Sequence, residues 1–159
     1  GLPLSGTITT PEYSELLPWE YGFTQAGNPM ACAAGLAMVE IMVRDDLPAN
    51  SERIGTLMTD ALKEIQRDSK LIGEVRGQGL MIGVELVRDR ETKEPAFEET
   101  DQLMAACLGH GLMIGKTGPV FGANGNVAKF KPAVNVTEED AMEMVELFGR
   151  ALRDVEAAL

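Results

Sequence analysis

The segment richest in chemistry is Tyr21-Gly-Phe-Thr-Gln-Ala-Gly-Asn-Pro29. Its glycines let backbone approach a ligand, Thr24 offers a hydroxyl donor, and Asn28-Pro29 opens a helix whose first amides lack intrahelical partners. A hydroxyl, glycines and a helix N-terminus in one stretch can receive a phosphate. Read by itself, Thr24 is more often a turn residue whose hydroxyl bonds the nearby backbone.

Other candidates fail on spacing. Gly115-Lys116-Thr117 resembles the end of a phosphate loop, but the glycine that should precede it by five positions is displaced, with Gly111 too near and Gly109 too far. Gly77-Gln-Gly79 is half of a dinucleotide fingerprint, lacks the third glycine, and is followed by a strand-like run where a helix should begin. One histidine, His110, and two distant cysteines offer no zinc spacing, so no metal is expected and His110 reads as a surface or capping residue. Cys32 and Cys107 read as small buried hydrophobes in a reducing, cytoplasmic compartment. Glu85 alternates with apolar neighbours and points to solvent from a strand.

The elements that must position these residues follow from periodicity. Residues 1–27 hold prolines, glycines, threonines and aromatics without a helical period, and read as loop with a short strand at most. A helix runs from Pro29 to about Arg44, small-sided in its first turns and then apolar nearly all round, which implies burial against a larger body. Ile54, Leu57, Met58, Ala61, Leu62 and Ile65 form one stripe of an amphipathic helix over about 49–68. Ile72 to Val75 and Leu80 to Val87 are strand-like, joined by a glycine turn at 76–79, and Arg88 to Pro95 is a charged turn. A third helix around Leu103, Met104 and Cys107 ends near His110-Gly111, with a short strand expected at Leu112 to Ile114 and a glycine-rich loop over 115–126. Val127 to Val136 reads as a strand interrupted by Pro132, which places it at a sheet edge or at a bend. Thr137 caps a last helix whose stripe runs from Ala141 to Val155. Helices and strands in this order suit a small antiparallel sheet covered by helices on one face.

Composition narrows the partners. A net charge of −11 repels phosphate backbones and anionic lipid, and no Lys/Arg run reverses it locally, so nucleic acid and membrane surfaces are not expected partners. No apolar stretch is long enough to span a bilayer.

Residues 22–37, Gly-Phe-Thr-Gln-Ala-Gly-Asn-Pro-Met-Ala-Cys-Ala-Ala-Gly-Leu-Ala, resemble the glycine, threonine, Gly-Asn-Pro and alanine-rich helix of class III aminotransferases. Gly1-Leu-Pro-Leu-Ser5, the run from Ile72 to Val87, and Gly125-Asn-Val-Ala-Lys-Phe-Lys-Pro132 resemble the same family in the same order. The resemblance implies an α/β parent of fold type I that uses pyridoxal 5'-phosphate. This chain is then mainly α+β: residues 1–44 are the end of the large cofactor-binding domain with a linking helix, and 45–159 the small C-terminal domain.

The same resemblance implies a site shared across a homodimer, with Phe23 and Thr24 at the cofactor phosphate of the neighbouring subunit and Thr24 donating to it. Many family members carry an arginine before a Phe-x-Pro-Pro run, where it grips a substrate carboxylate. Here that position is Lys129 and the second proline is Ala133, so substrate binding by Lys129 is the expectation, with a solvated strand lysine as the alternative. The family's Schiff-base lysine precedes the Gly-Leu-Pro-Leu-Ser segment, and none of the lysines at 63, 70, 93, 116, 129 and 131 has that context. The implied function is amino transfer between an amine or amino acid and a keto acid, by a parent enzyme of which this chain alone is inactive. An aminomutase or decarboxylase of the same fold, and a non-catalytic α+β binding or regulatory domain, are the alternatives.

Overall fold

The computed structural model describes residues 2–13, 24, 26–118 and 125–159. They divide into two compact units, Gly1–Leu47 and Pro48–Leu159.

In the first unit a single 3-10 turn, Pro11–Tyr13, precedes helix α1, Pro29–Arg44. Pro29 occupies the first turn, where its missing N–H costs nothing, and the Asn28 side chain accepts from the amides of Met30 and Ala31 at 3.0 and 3.3 Å. Gly27, at φ +66°, supplies the left-handed residue that turns the chain into this cap. Within α1 only Ala31 is buried; Met30, Leu36, Val39 and Val43 are exposed. Cys32 is exposed as well, against the expectation of burial, because nothing among the described residues covers this part of the helix.

The second unit is built as expected, a small antiparallel sheet with helices on one face. Helix α2, Leu47–Asp68, leads into strands β1, Ile72–Gln78, and β2, Met81–Leu86; helix α3, Phe97–Gly109, strands β3, Gly115–Lys116, and β4, Val127–Phe130, and helix α4, Glu138–Glu156, follow. The four strands lie in the order β1-β2-β4-β3, and every neighbouring pair is antiparallel. Strand alternation sends Val75, Ile82, Val84, Leu86, Ala128 and Phe130 into the core. There they meet Ile54, Met58 and Leu62 of α2, Leu103 and Cys107 of α3, and Val145, Phe148 and Leu152 of α4. Phe130 and Phe148 meet edge to face, with ring centroids 5.3 Å apart.

Several boundaries differ from the periodicity reading. β1 continues to Gln78, so the hairpin turn is only Gly79-Leu80, and Gly79 holds φ +52°. Helix α2 presses so closely on this turn that a Cβ at Gly55 would lie 2.1 Å from the Gly79 carbonyl oxygen. The strand expected at Leu112 to Ile114 forms instead at Gly115–Lys116. Its place is fixed by pairing, Gly115 with Lys129 and Lys116 with Ala128, while Leu112 is spent on ending α3, its amide donating to Cys107 O at 2.8 Å. β4 stops at Phe130, before Pro132 can deny the ladder a donor, and it lies inside the sheet, so the edge placement is wrong and the strand ends ahead of the proline.

Thr137 caps α4, its hydroxyl accepting from the Asp140 amide at 3.1 Å. Glu156, near the far end of α4, closes the same unit from the other side: one carboxylate oxygen accepts from the Ser69 hydroxyl and from the amides of Lys70 and Leu71.

Candidate functional site

The face of the sheet opposite the core carries the chemistry of the second unit. Alternation places Glu74 and Arg76 of β1, Met81, Gly83 and Glu85 of β2, and Val127 and Lys129 of β4 on this open face. The register sets Arg76 beside Gly83, Gly83 beside Lys129, and Lys129 beside Gly115, so the lysine has glycine on both flanking strands. No directly paired side chain covers it from either strand. A cavity of about 580 Å³ opens here, lined by Arg76, Met81, Ile82, Val127, Lys129 and Lys131 among others.

Charge on this face is already partly balanced. Glu74 and Glu85 stand directly opposite each other in the ladder, a repulsive placement that Arg76 relieves by reaching both, at 2.7 and 3.4 Å. Arg76 and Glu85 therefore serve the sheet itself, and Glu85 is half-buried on the open face. Lys129, also half-buried, forms no ion pair among the described residues.

Thr24 lies exposed in a turn ahead of α1, and its hydroxyl has no hydrogen-bond partner among the described residues. Phe23 lies outside the described residues. The first unit also holds a cavity of about 700 Å³, lined by residues 2–7 and by Ala26, Gly27, Asn28, Met30 and Ala31. Thr24 is not part of its wall. Asn28 already occupies the Met30 and Ala31 amides, so those two donors at the helix terminus are spent on the cap.

The remaining polar groups are structural. His110 caps the C-terminal end of α3 and meets Asp154 at 2.6 Å. Burial pushes the Cys107 thiol up to about 11, which keeps it protonated at neutral pH and unreactive. Glu99 is buried; burial alone would raise its carboxyl, but the hydrogen bond from Arg88 at 2.8 Å, its own amide and the guanidinium charge together hold it below the ordinary value. Lys116 is paired with Asp101. Among the described residues no group of three or more His, Cys, Asp and Glu could hold a metal ion, and no helix is long and apolar enough to cross a membrane.

Residues 1–152 match the model of the class III aminotransferase family. The chain belongs to that family. It is 36% identical over 157 residues to a leucine/methionine racemase of Thermococcus litoralis, a match that covers 98% of this chain and 34% of that protein. It is also 36% identical over 155 residues to the human mitochondrial alanine–glyoxylate aminotransferase 2, covering 96% of this chain and 29% of the relative. An aminotransferase of Bacillus anthracis superposes with a TM-score of 0.80 at 31% identity, over 89% of this chain and 32% of that one. An amine transaminase from an uncultivated Pseudomonas species, solved in its PLP-bound form, superposes at 0.76 with 30% identity, over 85% of this chain and 30% of its own. This class III chain thus spans about a third of the length of the curated relatives it matches, and the cofactor of its family is pyridoxal phosphate.

For this family member, the sequence pointed to Lys129 without showing what surrounds it. The flanking glycines become neighbours only through the β2-β4-β3 register, and no sequence signal states a register.

Proposed function

We propose that these 159 residues form the C-terminal portion of a pyridoxal-phosphate-dependent aminotransferase that moves an amino group between an amine or amino acid and a keto acid. In this reading residues 1–44 end the large cofactor-binding domain and 45–159 are the small domain. The observation that carries it is Lys129: in a class III chain, at the position where the family resemblance implies a carboxylate-binding arginine, it is an ammonium flanked by two glycines on the wall of an open cavity.

Pyridoxal phosphate, when bound, supplies an electron sink for the carbon that exchanges its proton. Thr24 would hold the cofactor phosphate through its hydroxyl and adjacent amide, together with Phe23, across a homodimer interface. Lys129 would hold the substrate carboxylate as a point charge, with less angular discrimination than a guanidinium fork. The anchoring lysine is not among this chain's six, which lie on α2 (Lys63), in turns (Lys70, Lys93), on β3 and β4 (Lys116, Lys129) and just beyond β4 (Lys131). In this reading the chain alone is inactive. Cys107, buried as a thiol, suits a reducing compartment such as the cytoplasm.

The racemase relative favours a second reading, in which the same scaffold serves another reaction at the amino-bearing carbon. Kinetics of the full-length enzyme that carries this chain test the first. K129M should raise KM for an amino acid donor roughly 10-fold, the loss expected for one charge-assisted hydrogen bond, and K129R should recover it. An unchanged KM in K129M would reduce Lys129 to a solvated strand residue.

A further inference from the structure

Lys131 follows Lys129 by two residues, just beyond the end of β4. Both line the 580 Å³ cavity, and both also line its 260 Å³ neighbour beside Met113, Pro132 and Met144. They stand together where the two cavities adjoin.

The other charged groups near them are already paired. The two carboxylates that the strands place on this face, Glu74 and Glu85, are both engaged by Arg76. Lys116, one strand away, is held by Asp101. Neither Lys129 nor Lys131 has an ion-pair partner among the described residues, in a chain whose net charge is −11. Neither ammonium is held by a direct ion pair, so an anion that enters between them can gain two contacts without breaking an existing one.

We propose that Lys129 and Lys131 together hold a single carboxylate group of the substrate, one ammonium to each oxygen, so that two point charges do what one planar guanidinium does elsewhere in the family. Long, flexible side chains that line the same cavity can converge on two oxygens of one group. The chemical class recognised is a monocarboxylate, the acid end of an amino or keto acid. This rests on the reading of Lys129 as the substrate-carboxylate residue and adds Lys131 as its partner in specificity.

The test is a titration of the 159-residue chain with sodium acetate at constant ionic strength, chloride being exchanged for acetate, followed by NMR at the lysine side-chain ε positions. The expected result is that Lys129 and Lys131 shift along one isotherm with a single Kd, while Lys63, on α2, does not shift. K131M should weaken acetate binding read at Lys129 by roughly 3-fold, the order expected for a partly exposed charge contact, and K63M should not. The double variant K129R/K131M should restore binding, read at the guanidinium introduced in place of the Lys129 ammonium, because that group supplies both contacts alone. If Lys129 shifts alone and K131M leaves its Kd unchanged, the pair is wrong and the single-lysine reading survives. If the two lysines shift with different constants, they hold separate anions and the pair is again wrong. If neither shifts, the pair and the reading of Lys129 fall together.

Discussion

Helices α1 and α4 are of similar length and both rich in apolar residues, yet they behave in opposite ways. α4 buries Ala141, Val145, Phe148, Ala151, Leu152 and Val155 along one stripe and turns its acidic and basic residues outward. α1 has no such division and, of its 16 residues, buries only Ala31. The difference lies in pattern rather than in hydrophobicity. A stripe with a polar back states which side faces the core, so the second unit is specified by its own sequence. An all-round apolar helix with small first turns states only that it is meant to be enclosed, and leaves the enclosing surface to be supplied from elsewhere.

Breaking the better-built region should have the largest effect. Phe148 is fully buried and stacks edge to face on Phe130, so F148A should cost about 3–5 kcal/mol in denaturant unfolding of the second unit, by lost transfer energy and an unfilled cavity. A loss below about 1 kcal/mol would mean that the helix–sheet core is not what holds that unit together.

The two helix caps sharpen the comparison at lower energy. Thr137 and Asn28 make the same kind of side-chain bond to free amides. T137A should lower the unfolding free energy of the second unit by about 1 kcal/mol. N28A should leave that transition in place and appear instead as faster amide hydrogen exchange in the first turns of α1. A common shift of both transitions by N28A would show that α1 unfolds with the core.

The smallest expected effect is electrostatic. Because Arg88 holds the Glu99 carboxyl below its ordinary value of 4.5, the folded state binds that proton more weakly than the unfolded chain does. The stabilisation is complete above pH 4.5 and is lost as pH falls through the depressed value. Stability of E99Q plotted against pH should therefore fall less steeply below that point than that of the unsubstituted protein. Identical slopes would remove the Arg88–Glu99 pair from the acid response.

How much of this was legible in the sequence depends on whether local chemistry or pairing decides the feature. The cap at Asn28-Pro29, the cap at Thr137 and the stripes of α2 and α4 are local, and periodicity and side-chain type place them. The position of β3 is not local: a two-residue strand has too little propensity of its own, and Gly115 and Lys116 become a strand only because Lys129 and Ala128 lie alongside. The interior place of β4 is likewise a matter of strand order, which Pro132 alone could not reveal. The candidate site follows the same rule. Lys129 was found by its resemblance to a motif, whereas its place between Gly83 and Gly115 and the sharing of Arg76 by Glu74 and Glu85 are consequences of register.

The proposed division of labour, in which the chain would supply a phosphate contact and a carboxylate contact but no anchoring lysine, is tested most directly by borohydride reduction in the presence of pyridoxal phosphate, followed by peptide mapping. In the full-length enzyme one lysine outside these 159 residues should be labelled stoichiometrically, and in this chain the six lysines should show only low, scattered labelling. Stoichiometric labelling of a single lysine within the chain, Lys129 above all, would contradict it.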